Sequence, residues 1–102
     1  MHTDKKYYFL KLNPPRSTFA QDMTQEERNI MQQHVAYWTD LMNKGFVIVF
    51  GPVSDPKGVY GIGIVVVDNP EQVTEFIASD PANGLNKYEY YSMMAVTPDK
   101  SF

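Results

Sequence analysis

The sequence predicts an α+β fold: a four-stranded antiparallel sheet with two helices on one face, in the order βαββαβ. Three observations carry this. Two segments show the three- and four-residue apolar spacing of helices, each opened by a capping residue. Four runs rich in aromatic and β-branched residues surround them, bounded by Pro, Gly and Asn. The chain has 102 residues, enough for one core and one domain spanning residues 1–102.

The first strand is expected over Tyr7 to Asn13, with Pro14-Pro15 stopping it. Arg16 to Met23 reads as a loop. Thr24-Gln25-Glu26-Glu27 has the form of a capping box and starts a long helix. Ile30, Met31, His34, Val35, Trp38, Leu41 and Met42 form its apolar stripe, and Lys44-Gly45 ends it. Phe46 to Phe50 is a continuous apolar strand, followed by the turn-rich stretch Gly51 to Gly58. Val59 to Val67 is the third strand. Asn69 caps a second helix with Pro70 at its first position, and Val73, Phe76 and Ile77 form its inward face. That helix must stop near Ser79, because Pro81 disfavours helical geometry at Asp80. A turn at Ala82-Asn83-Gly84 leads to the last strand, Lys87 to Val96, and a tail from Thr97 to Phe102. This is the split-βαβ, ferredoxin-like order, and right-handed crossovers put both helices on one side.

The strands carry a further implication. A sheet with one wet face should alternate apolar with polar residues. Phe46 to Phe50 and Ile64 to Val67 do not alternate. Two helices cover one face only, so the other needs a second copy of the chain. A homodimer packed sheet against sheet is expected.

Composition narrows the functions. The net charge is −3 and there is no basic run, which argues against nucleic acid and anionic membrane surfaces as partners. Without cysteine there are no disulfides, thiolate catalysis or cysteine zinc sites. No apolar run approaches the ~20 residues of a membrane helix. Met1 to Lys6 lacks the features of a signal peptide, so the cytoplasm is the expected location, with an already removed leader as the alternative.

Of the two histidines, His2 is terminal and His34 lies on the inward face of the long helix. His34 has two readings: a core histidine bonded to a carbonyl, which spacing alone favours, or a general acid/base. A base of this kind needs a partner to fix its tautomer. Asp80 is a candidate, with a turn-forming aspartate as the simpler reading. Asp55 reads as shaping its loop. Ser54 lacks the G-x-S-x-G elbow of an activated nucleophile. Gly58, Gly61 and Gly63 are not a dinucleotide fingerprint, since they lie in a strand; Gly61 and Gly63 share one face and imply close approach of a helix or ligand. One central histidine does not make a metal site, and haem ligation by it has no motif behind it. No cofactor or metal is expected. The seven tyrosines read mostly as core and interface residues.

Several stretches together resemble the YCII-related family: Met23 to Arg28 leading into Met31-Gln32-Gln33-His34-Val35-Ala36-Tyr37-Trp38, then Gly45, Phe50-Gly51-Pro52-Val53, Asp55-Pro56, Gly58, and Asp80-Pro81 with Gly84-Leu85. The resemblance spans nearly the whole chain. It implies a dimeric α+β barrel and a catalytic pair, carried here by His34 and Asp80. It also implies kinship of fold with muconolactone isomerases and a chloromuconolactone dehalogenase, without fixing a reaction. The loop Pro14 to Met23 is longer here and has no assigned role. The expected pocket around the pair takes in Trp38, Phe50, Gly51, Ser54 and Tyr60.

Two functions remain open. One is a lyase- or isomerase-type enzyme using His34 and Asp80 on a carbonyl or lactone-like small molecule, by isomerisation, elimination or dehalogenation. The other is a non-catalytic dimer that binds a small ligand or a partner protein.

Overall fold

In the computed structural model, which describes residues 5–98, the elements are β1 (Lys6–Asn13), α1 (Phe19–Asp22), α2 (Gln25–Asn43), β2 (Val47–Val53), β3 (Tyr60–Val67), α3 (Pro70–Ser79) and β4 (Lys87–Met93). His2 and residues 99–102 of the tail lie outside the described residues. The strands form one antiparallel sheet in the order β2-β3-β1-β4.

Capping fixes where both long helices begin. The Thr24 hydroxyl accepts the Glu27 N–H at 3.1 Å, and the Glu27 carboxylate accepts the Thr24 N–H at 2.9 Å. Asn69 and Gln72 make the same reciprocal pair at the start of α3, with Pro70 at its first position. Gly45, at φ +94°, turns the chain out of α2, and its N–H bonds the Met42 carbonyl.

Three differences from the sequence expectation exceed a single residue. The stretch Arg16 to Met23 contains a one-turn helix, α1, because Phe19 has an apolar wall to pack on. The fold therefore has three helices. β2 runs on through Gly51-Pro52-Val53. Pro52 is tolerated because β2 is an edge strand, where a missing N–H costs no inner ladder bond. β4 ends at Met93, three residues short of Val96.

The core lies between the sheet and the helices. Leu10, Trp38, Leu41, Val47, Val65, Val67 and Val73 form it. A register shift between Val47 and Val49 adds one residue to β2 at Ile48. That shift lets Val47 and Phe50, three positions apart, both face the helices. The opposite face of the sheet stays uncovered in the single chain, with Val49, Tyr91 and Met93 exposed on it.

Candidate active site

The site begins with a helix that cannot continue. Pro81 forces Asp80 out of helical geometry, to φ −69° and ψ 127°, so the chain turns inward at the end of α3. The Asp80 backbone is held on both sides: its N–H bonds the Ile77 carbonyl, and its carbonyl accepts the Asn83 N–H. Its side chain is completely removed from water.

A buried carboxylate needs donors, and Asp80 has four. Oδ2 accepts from His34 Nδ1 at 2.8 Å, from Trp38 Nε1 at 2.9 Å and from the Tyr88 hydroxyl in a short bond. Oδ1 accepts the Ala82 N–H at 2.8 Å and lies 3.1 Å from His34 Nδ1. Trp38 Nε1 also reaches the Tyr88 oxygen at 3.1 Å. His34 and Trp38 come from one face of α2, Ala82 from the turn after α3, and Tyr88 from β4. Burial pushes the Asp80 carboxyl up; the bonds from His34, Tyr88, Ala82 and Trp38 outweigh it and hold the group below the usual carboxylate range. Burial, together with the Asp80 carboxylate, pushes the Tyr88 phenol well above its ordinary value.

The charge state of Asp80 sets the tautomer of His34. An ionised carboxylate can only accept hydrogen bonds, so Nδ1 must carry the hydrogen. In a neutral imidazole Nε2 is then left with a lone pair. No partner engages Nε2 among the described residues.

His34 forms part of the wall of a cavity of about 340 Å³ between α2 and the sheet. The helix-facing side of β3 explains why space is left there. Val65 and Val67 fill the core at one end of the strand, whereas Gly61 and Gly63, on the same face, have no side chains at the other. A Cβ at Gly61 would lie 3.4 Å from Leu12, and one at Gly63 3.5 Å from Phe50. The segment carrying α1 makes another wall with Pro14, Phe19 and Met23. Arg16 fastens that segment to α2, with Nη2 to Glu27 Oε1 at 2.8 Å, Nη1 to Oε2 at 3.1 Å and Nε to Asp22 Oδ1 at 2.8 Å. The Arg16 bonds, with the Thr24 N–H, hold the Glu27 carboxyl down at about 2. Gly58, at φ +148°, lets the loop after β2 approach Ser17, where a Cβ would come within 3.1 Å of a backbone oxygen.

The sequence matches the YCII-related domain family over residues 7–97. The chain belongs to the YCII-related family. No curated protein matches it significantly. Among solved structures, this YCII-related chain is similar to the crystal structure of SnoaB, a cofactor-independent oxygenase from Streptomyces nogalater, in a single-site mutant form. The TM-score is 0.50 at 10% identity, and the likeness covers 93% of this chain and 96% of that one. It shows a shared ferredoxin-like α+β fold.

In this YCII-related protein the structure brings His34 and Asp80 together across 46 positions. Trp38, Phe50, Gly51 and Tyr60 line the same cavity. Ser54 does not line it: the Asp55 side chain bonds the Lys57 N–H in a turn that leaves Ser54 exposed beyond the end of β2. Sequence reading missed Tyr88 as a partner of Asp80, although strand alternation places it opposite Leu12 on the helix side. It also missed Phe19, whose signal was a lone large apolar side chain in a polar loop. Among the described residues, no group of three or more His, Asp and Glu could hold a metal ion, and no helix is long and apolar enough to cross a membrane.

Asp80 gives a pH-dependent stability. Its folded pKa lies below its unfolded value of about 3.9, so its contribution is complete above that value and fades as pH falls through the folded pKa. Asp80→Asn should cost about 3–5 kcal/mol near neutral pH, because it turns an amide toward donors that need an anion. In urea titrations the gap between parent and variant should shrink below about pH 4. A gap that stays constant down to pH 2 would contradict this.

Proposed function

We propose that the protein is a small-molecule enzyme in which His34 is the general acid/base and Asp80 the group that orients it. The observation that carries this reading is His34 in the cavity wall with Nδ1 held by a buried carboxylate. Nε2 takes a proton from carbon next to a carbonyl, and negative charge moves onto the carbonyl oxygen as an enolate. The imidazolium that forms is stabilised by Asp80 across the Nδ1 bond. Returning the proton to a different carbon isomerises the substrate; loss of a leaving group eliminates it. SnoaB, which shares the fold, is named as a cofactor-independent oxygenase, so small-molecule enzymes occur on this fold.

Proton exchange tests this without knowledge of the natural substrate. In D₂O the protein should speed exchange at the acidic carbon of 2-tetralone or 2-coumaranone, followed by proton NMR. His34→Ala should slow it by about 10²–10⁴-fold. Equal rates in parent and variant would remove His34 from the chemistry, and binding with no exchange in the parent would favour a ligand-binding module.

We also propose that two copies pair through the outer sheet face. Tyr7, Phe9, Ile64 and Val66 lie on that face and stay partly exposed, and Val49 is 47% exposed there. A contiguous apolar surface of this kind is a recurrent mark of an interface. Sedimentation should give a dimer for the parent and a monomer of unchanged circular dichroism for Val49→Glu. A monomeric parent would refute the pairing.

A further inference from the structure

The composition of the cavity wall bears on what could occupy it. Lys and Arg are absent from the wall, and the polar side chains on its helix-facing side are His34, Tyr88 and Asn86. The Tyr88 hydroxyl is committed to Asp80. Arg16 and Lys11, next in sequence to or near wall residues, are engaged elsewhere. Arg16 is spent on Asp22 and Glu27, and Lys11 Nζ sits 4.5 Å from the centre of the Tyr60 ring, on the sheet face away from the helices. Meanwhile Asp80 holds a buried negative charge behind His34.

Asn86 adds an independent observation. It is 97% buried, from a relative exposure of 3%, and lines the cavity. Its side-chain N–H groups reach only the Met31 sulfur and the Ala82 carbonyl, each at 3.4 Å. The contact to the carbonyl is long, and a thioether is a weak acceptor at any distance. A buried amide so poorly engaged can donate to a ligand oxygen.

We infer that the cavity takes a neutral, largely apolar ring compound with a single carbonyl head, whose oxygen accepts from Asn86 and whose neighbouring carbon faces His34, and rejects carboxylates. This rests on reading the cavity as the substrate site. An anion placed there would lose its water, meet no cation and lie near the Asp80 charge. Substrates of the muconolactone kind, which carry a carboxylate, are therefore disfavoured, despite the fold kinship that first suggested them.

Trp38 supplies the reporter. It is the only tryptophan in the chain, it lines the cavity, and its indole N–H bonds Asp80. Its single indole resonance can be followed by NMR as coumarin or coumarin-3-carboxylate is titrated near neutral pH. Coumarin should shift that resonance saturably and bind at least roughly tenfold more tightly than the carboxylate. Val35→Lys adds a cation in the cavity wall at a site already 51% exposed, and should narrow the ratio. Equal or tighter binding of the carboxylate by the parent would overturn the inference. So would an unmoved Trp38 resonance with both probes, or an unchanged ratio in Val35→Lys. The two readings fail separately: exchange that survives in His34→Ala removes the acid–base role without touching selectivity, and reversed selectivity removes the ligand class without touching exchange.

Discussion

A carboxylate cut off from water costs several kcal/mol unless donors replace the lost hydration. Asp80 recovers that cost from side chains of α2 and β4 and from the backbone of its own turn. The carboxylate is thus the point where both long helices and the last strand are joined. The same bonds that keep it ionised fix the ring of His34 and the indole of Trp38. Stability and the setting of the His34 ring therefore share one group, and a change there cannot alter one alone.

The cavity exists because the core is incomplete by design of the sheet face. Along β3 the inward positions read Gly61, Gly63, Val65, Val67. The valines pack under Trp38, Leu41 and Val73, and the glycines leave room that α1 walls off with Phe19. Arg16 and Glu27 tie that wall to the capping box of α2, so the first turn of the long helix also braces the cavity.

Much of this was legible in the residues. Thr24 to Glu27 and Asn69-Pro70 announced both long helices, and right-handed connection rules put both on one face of the sheet. What escaped depended on tertiary partners. Phe19 forms a helical turn because a wall meets it, and no local pattern in Arg16 to Met23 shows that wall. Pro52 looks like a strand breaker until β2 is known to lie at the edge. Physical spacing placed His34 inward, and the family resemblance named Asp80. Neither could show Tyr88 and Trp38 converging on the same oxygen, since those contacts cross 8 and 42 positions and depend on side-chain direction.

The central claim is that an ionised Asp80 holds His34 with its hydrogen on Nδ1 and a free lone pair on Nε2. Long-range ¹⁵N–¹H correlation NMR of the neutral ring reads this directly. The account predicts a protonated Nδ1 and a bare Nε2. A ring with its hydrogen on Nε2 would contradict it, because Nδ1 would then have nothing to donate to the carboxylate.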